Sequence, residues 1–153
     1  MRWFMIALFS VALSYSSATL ASDPTATNKA GTKKDTKEQL SKAGSDFMSL
    51  LLKGRTEQAY QTLLAEVGGD SDRLNQQATD VAAFMLKVRE QLGDPISYDL
   101  ITTDSIKNHF FKQKYLLKFD NAAIVWEINY YQPRDGWKLV DVAYNTDIDA
   151  LFK

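Results

Sequence analysis

Apolar and polar residues alternate with a two-residue period through the last third of the chain. In the run from Asn108 to Phe119, one parity holds His109, Phe111, Gln113, Tyr115, Leu117 and Phe119, and the other holds Phe110, Lys112, Lys114, Leu116 and Lys118. Successive side chains of a strand point to opposite faces, so this run predicts a strand with one apolar and one lysine-lined face. Asp120-Asn121 supplies turn chemistry, and Ile124 to Tyr131 divides again, with Ile124, Trp126, Ile128 and Tyr130 on the greasier side. Gln132-Pro133-Arg134-Asp135-Gly136 closes the next hairpin. The last strand, Trp137 to Asn145, has bulky apolar residues on both parities. That predicts a central strand, or one whose second face is covered by a tail or another subunit.

Upstream, the period changes to that of a helix. Thr36 to Lys53 places Leu40, Ala43, Phe47, Leu50 and Leu51 at three- and four-residue steps, with Thr36 as N-cap and Gly54 after the end. Thr56 to Val67 repeats this with Ala59, Tyr60, Leu63, Leu64 and Val67, and Gly68-Gly69 ends it. A third helix starts after a cap at Asp70 or Ser71, carries Leu74, Ala78, Val81, Met85, Val88 and Leu92, and stops at Gly93-Asp94-Pro95. Its Ala78, Ala82 and Ala83 suit close approach to a sheet. Ile148, Leu151 and Phe152 near the end are expected to tuck back onto the core as a single helical turn. Helices first and strands afterwards predict an α+β fold: three helices packed on a curved antiparallel sheet of about four strands.

Composition narrows the classes. The chain of 153 residues is 45% hydrophobic, enough for one domain with a real core. Lysine and arginine number 18 against 19 acids, a formal charge of −1, which gives no long-range pull toward nucleic acid or an anionic membrane. Met1-Arg2, the apolar run Trp3 to Leu13, and small residues ending at Ala21 predict an export signal over residues 1–21, too short for a bilayer span. Residues 22–36 read as a leader without large apolar side chains, and residues 37–153 as the domain. Lys29, Lys33, Lys34 and Lys37 are taken as a solvated tail, with contact to a phosphate-rich surface as the alternative. With no cysteine there is neither a lipidation site nor a disulfide, so an exported, periplasmic or secreted protein held by packing alone is expected.

The order of elements, with Gly54-Arg55-Thr56-Glu57-Gln58-Ala59-Tyr60 opening helix two and Tyr131-Gln132-Pro133-Arg134-Asp135-Gly136-Trp137-Lys138-Leu139 leading into the last strand, resembles the nuclear transport factor two-like superfamily of cone-shaped α+β rolls. More narrowly it looks like small exported bacterial proteins of that superfamily. The resemblance spans about Glu38 to Phe152 and implies a fold more than a function, because that fold hosts isomerases, dehydratases, cyclases and non-enzymatic binding domains.

Candidate chemistry is sparse. His109 is the single histidine and shares a parity with Phe111 and Tyr115, so a base in a cleft is one reading and a partly buried strand-end histidine the other. Asp99, between Tyr98 and Leu100, is the remaining acid candidate. Aromatic residues are numerous enough to line an apolar cleft between helices and sheet, and Tyr60, Phe84, Tyr98, Trp126 and Tyr130 are the expected ligand-binding set, with ordinary core as their other reading. One histidine and no cysteine exclude ordinary zinc sites, and Asp70-Ser71-Asp72 and Asp147-Ile148-Asp149 read as helix caps rather than calcium loops. No phosphate loop, nucleophile elbow or basic-aromatic stripe is present, so no cofactor and no nucleic acid is expected.

The reading that results is a non-catalytic exported binding or scaffold module for a small apolar ligand, homodimeric through the outer face of its sheet. The alternatives are an acid–base enzyme using His109 or Asp99, and an accessory subunit of a cell-envelope complex that presents Lys112, Lys114 and Lys118.

Overall fold

Thr36 starts the first helix with a reciprocal cap. Its hydroxyl accepts from Gln39 N at 3.2 Å while the Gln39 side chain accepts from Thr36 N at 3.3 Å, which satisfies two donors of the first turn. The structure is a computed structural model that describes residues 36–152, so the expected signal and all but the last residue of the leader lie outside the described residues. Helix α1 spans Lys37–Leu52, α2 Thr56–Val67 and α3 Ser71–Leu92. Asp70 caps α3 by accepting from Arg73 N at 3.2 Å. The glycines that follow α2 and α3, Gly68 and Gly93, have φ of 79° and 81°, a region side chains disfavour.

Four strands follow: β1 Ser97–Ile106, β2 Phe110–Lys118, β3 Ala123–Tyr131 and β4 Lys138–Asn145. They form one antiparallel sheet in chain order, so the β1–β2 and β3–β4 turns share an end. Every inward residue that the alternation predicts on β2 and β3 is buried, from Phe111 and Gln113 to Ile128 and Tyr130. Helix α1 covers β1 and β2, while α2 packs on α1, α3 and β4. Leu40, Phe47, Met48 and Leu51 of α1 are 1% exposed or less. Each such side chain contributes roughly 1.5–3 kcal/mol on burial, against about 1 kcal/mol for a good cap. Burial therefore decides where α1 sits, and the cap decides where it begins.

Three expectations are corrected. The last strand is neither central nor covered on both faces: β4 is an edge strand. Its register jumps between Tyr130↔Leu139 and Asn129↔Asp141, so Val140 is an extra residue. The bulge switches parity, which buries both Leu139 and Val142 and leaves Val140 exposed. The apolar residues on both parities thus come from one irregularity and carry no argument for a second subunit. Helix α3 lies against α2 and meets the sheet mainly along the free edge of β4, where Arg73 donates to Val140 O and Gln77 to Val142 O. Ala83 faces solvent rather than the sheet. Finally, the terminal turn is a short 3-10 helix, Ile148–Phe152, seated against β3. Val125, on the polar parity of β3, is only 2% exposed, yet Phe152 stays 87% exposed, so the tail shields part of the outer face and does not enter the core.

Candidate functional site

The five aromatic candidates separate into two groups. The Phe47 ring lies 5.2 Å from Tyr60 and 5.9 Å from Trp126, both edge-on. Tyr144 lies 5.5 Å from Trp126 and stacks on Phe84 at 4.4 Å. Tyr60, Trp126 and Phe84 thus meet in one corner between the helices and β3–β4. Tyr98 and Tyr130 belong instead to a polar layer under α1. Tyr98 Oη bonds Ser49 Oγ at 2.8 Å and Ser45 Oγ at 3.0 Å. Gln113, fully buried, donates to Tyr115 Oη at 2.8 Å and accepts from Tyr130 Oη at 3.2 Å.

Tyr60, Trp126 and Tyr130 have no exposed surface, so these rings are core in this structure. Burial, and after it the nearby charge of Asp141, pushes the Tyr60 hydroxyl well above its ordinary pKa. Burial does the same to Tyr130. Among the described residues the Tyr60 hydroxyl and the Trp126 indole N–H have no hydrogen-bond partner, and each such group costs about 1–3 kcal/mol.

Both acid–base candidates lie outside this interior. Strand β2 begins at Phe110, so His109 belongs to the β1–β2 turn and is exposed; its N–H donates to Ile106 O and its C=O accepts from Gln132 N. Alternation fails there because Lys107, at φ 50°, turns the chain through the left-handed region just before it. Asp99 stands on the outer face of β1, ion-paired with Lys118. The other lysines on that face are also engaged: Lys112 and Lys114 each reach Glu127 at 3.2 Å. Partial burial would raise the Glu127 carboxyl, but the two ammonium groups outweigh it and hold it below the usual range.

An open groove of about 490 Å³ lies between the start of α2 and the second half of α3. Buried Met85, with Ala82 and Leu86, gives it an apolar side, and Thr56, Glu57 and Gln58 give it a polar one. Helix α2 starts after Arg55 with no side-chain cap bond, and its first three residues, Thr56, Glu57 and Gln58, line the groove. Arg89 forms the end wall. Its guanidinium donates to Leu51 O at 3.2 Å and Leu52 O at 3.0 Å, closing the carbonyl end of α1, and pairs with Asp94. None of the ligand-binding or acid–base candidates lines this groove, although Gly54 to Gln58, Ala82 and Met85, read from the sequence as helix-start, packing and stripe residues, do. The available signal was Leu86, an apolar residue off the main stripe of α3 and 61% exposed.

A smaller hollow of about 300 Å³ sits where α1 begins, between Thr36–Glu38, Asn108, Gln132 and Trp137. Among the described residues no three acidic or histidine side chains gather as a metal site, and no helix is long and apolar enough to cross a membrane. The chain matches no protein-family model, no curated protein and no solved structure, so its own residues carry the functional argument.

Proposed function

We propose that this domain is a non-catalytic binding module of an exported protein, built as a roll of the nuclear transport factor two-like type, and that it takes a small amphipathic molecule in the groove between α2 and α3. The groove carries the reading. Its volume, about 490 Å³, falls within the range of small-molecule sites, and its two sides differ in polarity. An apolar body would cover Met85, Ala82 and Leu86, and an acceptor group would meet the first-turn N–H groups of α2. The architecture is supported by three helices preceding a four-stranded meander, and export by the apolar leader. The acid–base alternative has no observation in its favour, since His109 and Asp99 both stand on the surface away from this groove.

Octanoate, which joins a short apolar tail to a carboxylate, is a suitable probe. Saturable amide shifts at Thr56, Glu57 and Gln58 together with Met85 are expected, and Ala82→Trp, which fills the groove, should abolish them. Shifts that never saturate, or that persist in the filled variant, would remove this assignment.

A further inference from the structure

The end of the sheet that carries the β1–β2 and β3–β4 turns differs from the rest of the surface. Ile106, Phe110 and Tyr131 stand directly opposite one another on adjacent strands, so they form one row on the outer face, and Lys138 continues it on β4. They are 66%, 46% and 36% exposed, and the Phe110 and Tyr131 rings stack at 4.8 Å. Apolar side chains aligned in this way across three strands make a contiguous patch rather than scattered exposure.

Cations border the patch. Lys107 and Arg134 sit in the two turns, both exposed, and Lys138 lies beside Tyr131. Lys37, at the start of α1, is held at the same end by donating from Nζ to Lys107 O at 3.1 Å. The acids nearby are Glu38 and Asp135; one row farther along the face stand Asp104, Lys112, which pairs with Glu127, and Asp141, which pairs with Arg73. Four cations thus face two acids at this end of a chain whose overall formal charge is −1. The near-neutral total, which gives no long-range pull, conceals a local asymmetry that acts at short range.

We propose that this end docks on an anionic phospholipid surface, with Ile106, Phe110 and Tyr131 entering the headgroup layer and Lys37, Lys107, Arg134 and Lys138 meeting its phosphates. Apolar side chains ringed by lysine and arginine match such a layer in both polarity and charge. The shape of the patch selects this occupant over nucleic acid. A single strand needs a stacking track with cations along it, whereas here the most exposed member is aliphatic and the cations surround a tip. This surface is separate from the α2–α3 groove: α1 begins here, and its 16 residues at about 1.5 Å each carry the chain some 24 Å toward the other.

A chain started at Ser22 retains every residue of the described helices and strands and drops the apolar stretch Trp3 to Leu13, which would bind lipid by itself. Co-sedimentation of that chain with phosphatidylcholine vesicles, with and without phosphatidylglycerol, tests the proposal. Binding is expected only with the anionic lipid and should fall as salt rises. Arg134→Glu with Lys138→Glu should weaken it at least ~tenfold, while Lys53→Glu with Lys87→Glu, the same charge change at exposed positions elsewhere, should leave it within about twofold. Ile106→Thr with Phe110→Thr should weaken it at least ~tenfold while the circular dichroism stays native, because both side chains are exposed and threonine suits a strand. Failure to sediment with anionic vesicles, equal losses from the two charge-reversal pairs, or full displacement by inorganic phosphate would each overturn it.

Discussion

A methyl group on Gly44 would lie 2.3 Å from Gln113 Oε1 and 2.8 Å from Tyr115 Oη. Only hydrogen fits between α1 and β2 at that point, and the close approach lets the helix cover a fully buried glutamine. Gln113 is tolerated there because both ends of its amide are bonded, to Tyr115 and to Tyr130. The sign of Gly44→Ala is therefore informative. Helix propensity alone favours alanine by about 0.5–1 kcal/mol. Overpacking costs about 1–3 kcal/mol, and the disturbed amide bonds add to that. A net loss of about 2 kcal/mol or more is expected in urea unfolding, and an alanine variant as stable as the parent would show that Gln113 does not hold α1 in register.

Among the elements, the two sheet edges are managed differently. On β4, Arg73 and Gln77 of α3 supply donors to Val140 O and Val142 O, and Gly69 makes a bridge with Leu139. These contacts occupy backbone acceptors that would otherwise be free to pair with another chain. Replacing Arg73 and Gln77 together by alanine is expected to cost about 1–2 kcal/mol and to produce concentration-dependent association detectable by light scattering. A doubly substituted protein that stays monomeric and equally stable would show that the edge is protected by other means. The helices were legible in the sequence because caps and glycines mark their ends; Thr36, Gly68, Asp70 and Gly93 all stand where their residue types imply. The inward faces of β2 and β3 were equally legible, since alternation is a direct image of burial. The placement of α3 was not, because an edge contact made by two polar side chains leaves no hydrophobic period. Nor was the bulge at Val140, which imitates a strand buried on both faces. The groove escaped for a related reason: of its apolar side only Met85 belongs to the stripe of α3, while Ala82 and Leu86 flank it and the first turn of α2 is polar.

For the molecule as a whole, stability rests on one core with no covalent crosslink, as the chain has no cysteine. Tyr60 on α2, Tyr115 on β2 and Tyr130 on β3 all belong to that core and are 0 to 1% exposed. Burial, the leading cause in each, raises all three pKa values above 10.0; the charge of Asp141 adds to it at Tyr60, while Tyr98 and Tyr130's neighbour Tyr115 add smaller contributions at the other two. A raised folded pKa means that the unfolded chain loses its protons first. The contribution to stability is then fully present below pH 10 and is lost as pH rises from there toward the folded values. Above pH 10 each group removes about 1.4 kcal/mol per pH unit until its folded pKa is reached. Three groups in one core act together, so the alkaline transition should be steep, with the tyrosinate absorbance of these residues appearing in step with the loss of far-ultraviolet circular dichroism. Tyr60→Phe removes one linked proton and an unpartnered hydroxyl, so it should shift the transition to higher pH and make it shallower. Tyrosinate signal that develops fully while the dichroism is still native would mean that water and hydroxide reach these rings in the folded state, and that the space between the helices and the sheet is open rather than filled.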